Sequence, residues 1–270
     1  MAIITLTTDW SKGDYYIGAL KGKILSNDPS TVIVDISHQV QPFNVMQAAF
    51  ILRNCWFEFP KGTVHIIAIN AALTENKYLL IIKREDQYFI VSDNGIAGLL
   101  FGEKPDNVYK VTNSNHGNSF VSLNTFIETA FRIIKGEKPE KIGVSTEDFI
   151  IQIPLRPVID KNLINGSVIY IDSFSNAITN ISMETFEKVG NGKPYEIFIQ
   201  SNHYKIDRLN KTYSDSASGE LLALFNSVGL LEIAINNGNA ADLLNLTTNS
   251  AIRIKFYDEK PAVKLKLTGA

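Results

Sequence analysis

Two carboxylates, Asp9 and Asp14, stand in LTTDWSKGDYYIGALKG (6–22), where an apolar strand pattern runs through Thr7 and Thr8 into an acidic turn and then an amphipathic helix pattern. In an open α/β sheet, ligands bind outside the carboxyl ends of the strands. A carboxylate placed there can accept hydrogen bonds from a ligand, or it can cap the helix that follows. Asp14 suits the cap better, which leaves Asp9 as the stronger ligand candidate. Two further polar loops carry chemistry-bearing residues. INAALTENK (69–77) puts Asn70 at the end of a β run and Lys77 seven residues on; TNSNHGNSF (112–120) packs small polar residues around His116 ahead of a helix. Taken singly, each is a solvated loop. Taken with Asp9 and Asp14, they bring polar groups from separate strand-to-helix junctions, as a site at one edge of a sheet requires. Lys77 reads equally well as a solvent-facing lysine at a strand start. Asn70 ends an apolar strand, where an amide has less reason to occur.

Other chemistries lose their warrant. His38, His65, His116 and His203 are scattered with no metal-binding spacing, so no metal and no cofactor is expected. The single cysteine, Cys55, lies on the apolar face of NVMQAAFILRNCWF and reads as a small buried hydrophobe, with no internal disulfide available. There is no G-x-S-x-G, Walker or G-x-G-x-x-G motif. A net charge of −2 offers no broad attraction for nucleic acid. No signal peptide and no apolar run near the ~20 residues of a membrane span is present, so a cytoplasmic protein is expected.

The elements that must hold these residues fall into two regimes. At 270 residues, two domains are the first expectation, with one large domain as the alternative. From 1 to about 155, β-rich runs (2–7, 32–36, 63–69) alternate with helical spacing (14–26, 44–57, 123–135). This predicts an α/β sandwich around a mostly parallel sheet, with a hairpin from 78–83 and 87–91 appended. From 163 to 270, strand patterns at 164–172, 195–199, 203–206, 221–225, 230–235 and 251–257 follow one another with few helices, predicting a smaller antiparallel β domain. RPVIDKN (156–162) is read as the connection.

Taken together and in order, TLTTDWSKGDYYIGALKGKILS, VDISHQVQPFNVMQAAFIL, FPKGTVHIIAIN, VSDNGI, NHGNSF, IDSFSNAITNI and NSVGLLEIAINNGNAADLL resemble the S-adenosyl-L-methionine (SAM) hydroxide adenosyltransferase family, which is related to the SAM-dependent fluorinase and chlorinase. The resemblance implies a homotrimer, with SAM between one subunit's N-terminal domain and its neighbour's C-terminal domain. It implies Asp9 on the ribose hydroxyls, Asp14 near the methionine ammonium and Phe43 in the apolar wall around the sulfonium. From the C-terminal domain it implies Phe174 and Tyr213 bracketing the adenine, Asn176 and the backbone near Asn237 on its edge, and Ser227 at the amino-acid end.

The implied reaction is displacement at C5′ of SAM by water, giving adenosine and L-methionine. Sulfonium is already a good leaving group, so the protein need only place water in line and exclude competing solvent. In the family an Asp, an Arg and a His hold that water. Here Asn70 stands at the aspartate position and Lys77 at the arginine position, and His116 alone keeps its identity. An amide orients water but is no carboxylate base, and Lys lacks the bidentate fork of Arg. Slow hydrolysis with His116 as base is therefore expected. The alternatives are a non-catalytic SAM or adenosine binder and, ranked below it, a halide-using variant.

Overall fold

Strand and helix alternate through the first unit because each parallel strand needs a crossover to return the chain to the same end of the sheet. The computed structural model describes residues 1–11, 13–71, 78–111 and 121–259. Its chain separates into two compact units, Met1–Pro154 and Leu155–Ala270. In the first, β1 (Ile3–Thr8), α1 (Tyr15–Asn27), β2 (Val32–Ser37), α2 (Val45–Arg53) and β3 (Val64–Ala68) are followed by β4 (Leu79–Arg84), β5 (Gln87–Ser92), α3 (Ile96–Phe101) and β6 (Val108–Val111). The unit continues with α4 (Val121–Ile134), α5 (Pro139–Ile142) and β7 (Gly143–Ser145). The sheet order is β2-β1-β3-β5-β4-β6-β7. The four strands from β2 to β5 are parallel, and β4, β6 and β7 continue the sheet antiparallel.

Both faces are covered. Ile4, Leu6, Val64 and Ile66 pack with Leu20 and Ile24 of α1 and Phe126 and Ala130 of α4. On the other face Ile67, Leu80, Ile82 and Phe89 pack with Ala48, Ala49 and Leu52 of α2 and Leu99 and Leu100 of α3. Two-sided burial is what gives these strands their continuous apolar runs. The 78–91 hairpin is not a mere appendage: β5 pairs in parallel with β3 and lies at the centre of the sheet. Its turn places Glu85 and Asp86 at φ 50° and 60°, the left-handed geometry that a tight two-residue hairpin needs.

His65 and Cys55 belong to this interior. His65 is fully buried, hydrogen-bonded to Thr5 Oγ1 and Gln87 Oε1 at 2.7 Å each and stacked on Phe89. Burial holds its pKa down to about 4, so the ring is neutral. The Cys55 Sγ donates to the Ile51 and Leu52 carbonyls, and burial pushes its pKa to about 11, which removes the thiolate needed for reactivity.

The second unit contains β8 (Val158–Asp160), β9 (Leu163–Ile171), β10 (Ala177–Ser182), α6 (Met183–Gly190), β11 (Tyr195–Ile199) and β12 (Tyr204–Ile206). After these come β13 (Leu221–Phe225), β14 (Leu230–Ile235), α7 (Ala240–Leu243) and β15 (Ala251–Phe256). All pairings are antiparallel, in the order β12-β11-β15-β9-β10-β14-β13, with β8 added to β9. Ile164, Val168, Ile181, Ile197, Leu231, Ile233, Ile252 and Ile254 fill its core. The segment read as a connection, RPVIDKN, contains β8. No helix among the described residues is long and apolar enough to cross a membrane.

Candidate functional site

The carboxyl ends of β1 and β3 lie side by side, with Thr8 opposite Ala68. The chain leaves β1 for β2 on one side and later returns to β3 on the other, so the order of strands reverses here. This is the switch point at which open α/β sheets form a crevice. Asp9 stands directly after β1. Its Oδ2 accepts two backbone N–H groups, from Phe43 at 2.9 Å and from Asn70 at 3.1 Å. One carboxylate therefore ties together the ends of two strands and the loop before α2. Its Oδ1 has no partner among the described residues and can accept from a ligand.

The two donors share an unusual backbone. Phe43 has φ 67° and Asn70 φ 46°, both in the left-handed region. Asn tolerates that region through its short polar side chain, whereas a bulky aromatic does not do so without compensation. The Phe43 ring is nonetheless 70% exposed. The loop around it is pinned by Asn44, whose Oδ1 accepts from Gln47 N at 3.0 Å, and by Gln47 Oε1, which accepts from Gln41 N at 2.7 Å. Asn94 braces the other side by donating to the Ile69 carbonyl at 2.9 Å, immediately before Asn70.

Asp14 occupies the N-cap position of α1 with an extended backbone, yet its side chain makes no capping bond. The exposed carboxylate therefore remains available. Thr8 and His38 lock the neighbouring strand ends: Thr8 Oγ1 lies 2.8 Å from His38 Nδ1, and His38 Nε2 lies 3.1 Å from Asp35. Burial would raise the Asp35 carboxyl, but the hydrogen bond from Lys21 and the adjacent His38 ring outweigh it and hold the pKa below its ordinary value. Lys77 and His116 lie outside the described residues.

The second unit carries a cavity of about 480 Å³ lined by Phe174, Asn176, Tyr213, Ile235, Asn237 and Gly238, among others. Four of the residues singled out from the sequence thus meet in one place. Phe174 is 74% exposed and Tyr213 42%, two aromatic faces offered to solvent at a concave site. Asp172 organises the loop beneath them. Its Oδ1 accepts from Phe174 N at 2.9 Å and Asn176 N at 2.8 Å, and its Oδ2 accepts from Asn176 Nδ2 at 3.1 Å. A carboxylate only accepts, so the Asn176 amide is fixed with its NH₂ toward Asp172, leaving Oδ1 as an acceptor for a ligand. Asn237 has φ 54°, and its backbone N–H has no partner among the described residues. An acceptor and a donor on the wall of a cavity flanked by aromatic rings suit the edge of a flat heterocycle.

Ser227 is not among the lining residues. It is exposed on the β13–β14 turn, the length of β14 away from Asn237, roughly 17 Å. The turn connects to the cavity through Glu232, a buried residue of β14. Tyr213 OH donates to Glu232 Oε1 at 2.6 Å and Asn226 Nδ2 to Oε2 at 3.2 Å. Asp172, Glu232 and Asn94 escaped sequence reasoning. Asp172 and Glu232 stand inside IDSFSN and LLEIAI, and an acidic residue within an apolar strand was the available signal for Glu232.

A family model described as the SAM hydroxide adenosyltransferase N-terminal domain matches residues 4–143, and one described as the C-terminal domain matches 166–253. A protein named (R)-S-adenosyl-L-methionine hydrolase from Methanocaldococcus jannaschii is 29% identical, covering 94% of this chain and 96% of its own. A fluorinase from Nocardia brasiliensis is 25% identical, covering 94% and 96%. A crystal structure of an uncharacterized conserved protein from Thermotoga maritima aligns with a TM-score of 0.82 at 27% identity, over 94% of this chain and 100% of that one.

Proposed function

The chain belongs to the SAM hydroxide adenosyltransferase family, and we propose that it binds SAM and displaces methionine from C5′ with water. The products are adenosine and L-methionine. The observation that carries this reading is the double use of Asp9. Its Oδ2 gathers the Phe43 and Asn70 N–H groups, which leaves Oδ1 for a ribose hydroxyl and fixes Asn70 beside the same carbon framework. Asp14, not engaged in capping, meets the methionine ammonium, and the exposed Phe43 ring walls the sulfonium. In the second unit, Asn176 Oδ1 accepts from the adenine amino group and Asn237 N–H donates to a ring nitrogen, with Phe174 and Tyr213 on its faces.

In the proposed step the water oxygen bonds to C5′ as the C5′–S bond breaks, and the bonding pair leaves with sulfur. The water proton passes to His116. Asn70 orients the water, and Lys77 contributes charge. Loss of the carboxylate at position 70 as a general base removes ~10²–10⁴-fold in rate, so turnover through His116 is slow. The amide at Asn70 also favours a second reading, a SAM or adenosine binder without turnover. A halide-using variant stands below both.

The proposed homotrimer brings one copy's first unit against a neighbour's second. Its support in the structure is apolar surface in consecutive chain. Ile150, Ile151 and Ile153 end the first unit and Leu155, Val158 and Ile159 begin the second, each 44–66% exposed.

The test is calorimetric titration with SAM and with adenosine, followed by chromatography after long incubation, on the natural chain and on Asn70→Asp. The expected result is binding of both ligands, slow release of adenosine and methionine, and ~10²-fold or greater acceleration in Asn70→Asp. Binding without products in either protein would establish the non-catalytic reading. No binding of either ligand would overturn the site.

A further inference from the structure

Another cavity of the second unit lies away from the residues just described, on the solvent face of the sheet formed by β12, β11, β15 and β9. It measures about 680 Å³, and its charged lining holds Lys161, Lys205, Arg253 and Lys255 against Asp160 and Glu196. None of the family-matched ligand residues contributes to it.

Side-chain alternation creates this surface. Along β15, Ile252, Ile254 and Phe256 enter the core while Arg253 and Lys255 face out. Arg253 is opposite Phe198 and Lys255 opposite Glu196 on β11. Directly opposed Lys and Glu normally pair, but Glu196 is already engaged. It is buried, and its Oε1 accepts from Lys205 at 2.5 Å while its Oε2 accepts from Tyr257 OH at 2.7 Å. Lys161, Arg253 and Lys255 accordingly have no carboxylate within ion-pair distance among the described residues. Arg253 is also held in place: its guanidinium lies over the Phe198 ring at 4.9 Å and one N–H reaches Asn202 Oδ1. A guanidinium held over a ring keeps the rest of its fork for an anion and loses less freedom on binding.

From this arrangement we infer a second binding site, for a ligand carrying two or more linked phosphates. Arg253 and Lys255 project from same-face positions two residues apart, roughly 7 Å along the strand. A diphosphate group spans that interval better than a single phosphate, and the stacked Arg253–Phe198 pair offers a platform for a base where the diphosphate belongs to a nucleotide. The overall charge of −2 disfavours nucleic acid as the occupant.

The test is calorimetric titration of the full chain with pyrophosphate and, in parallel, with ADP, at low salt and with excess adenosine present. One-to-one binding is expected, weakening as salt is raised. It should persist in Phe174→Ala, which alters the other cavity, and should weaken roughly tenfold or more in Arg253→Ala and in Lys255→Gln, as loss of a hydrogen bond to a charged group does. Arg253→Lys should fall between, since charge remains and the fork is lost. ADP binding tighter than pyrophosphate identifies a nucleotide; equal affinities identify the phosphates alone. No binding of either probe at millimolar concentration would overturn the inference, as would binding unaffected by both Arg253→Ala and the exposed Lys255→Gln. Loss of binding in Phe174→Ala alone would place the ligand in the other cavity and also overturn it.

Discussion

Phe43 combines three properties that packing alone does not favour: a left-handed backbone, an exposed ring and a backbone N–H donated to Asp9. A non-glycine residue in that conformation costs about 1–2 kcal/mol, and exposure of the ring recovers little of it. Backbone strain persists where surrounding structure imposes it and concentrates at ligand sites. Phe43→Gly therefore relieves strain and removes the ring, whereas Phe43→Ala keeps the strain and removes the ring. Chemical denaturation should show Phe43→Gly about 1 kcal/mol more stable than Phe43→Ala, while calorimetry shows both binding SAM more weakly than the natural chain. Unchanged SAM affinity in the two variants would detach Phe43 from the site. Asp9 was legible as a ligand candidate because an acidic residue ends an apolar strand. Its partners were not, because they are backbone N–H groups 34 and 61 residues away.

Elements convert such residues into a site. Tyr213 sits on a short 3-10 turn (Tyr213–Asp215) closed by a capping box between Thr212 and Asp215, and its hydroxyl is anchored on Glu232 of β14. Through Asn226, the same buried carboxylate holds the β13–β14 turn that presents Ser227. Glu232→Gln keeps the shape, with Oε1 accepting from Asn226 and the NH₂ donating to the Tyr213 hydroxyl, so both bonds survive but lose their charge, at a cost of about 1 kcal/mol. Stability should fall by that amount, and adenosine affinity should fall with it. Tyr213→Phe should then cost less in the Glu232→Gln background than in the natural chain, since both act on one network. Additive costs in denaturation measurements would show that the ring and the carboxylate act separately. Most elements were legible from periodicity: β1, β2 and β3 from short apolar runs, α1 and α2 from helical spacing, and β11, β13 and β14 nearly to the residue. The misses have physical reasons. β10, AITNIS, places Thr and Asn in a strand whose pairing is set by tertiary neighbours, α6 is only eight residues long, and β8 is three exposed residues that pair only because β9 is there. The central place of β5 was hidden because a hairpin pattern fixes its antiparallel partner and says nothing of the strand on its other side.

At the scale of the molecule, the ligand residues proposed in each unit have complementary chemistry. The first unit offers Asp9, Asp14 and the Phe43 ring, and the second offers an aromatic-walled cavity with an acceptor and a donor. Neither alone surrounds a nucleoside that also carries a charged amino-acid tail. In the proposed homotrimer they meet across a subunit boundary, so binding and assembly are linked. In that proposal the exposed aliphatic side chains at 150–159 supply the means. Burying a large aliphatic side chain contributes about 1.5–3 kcal/mol, so six of them give on the order of 10 kcal/mol before correction for their partial burial, comparable to the cost of association. Such a balance is sensitive to one charge. Ile153→Glu and Val158→Glu, at positions 63% and 66% exposed, should leave each unit folded. In sedimentation velocity they should convert a trimer to monomers, and SAM affinity should fall with the trimer and recover at higher protein concentration. A natural chain that is monomeric at micromolar concentration yet binds SAM tightly would place the whole site within one copy and remove the need for assembly.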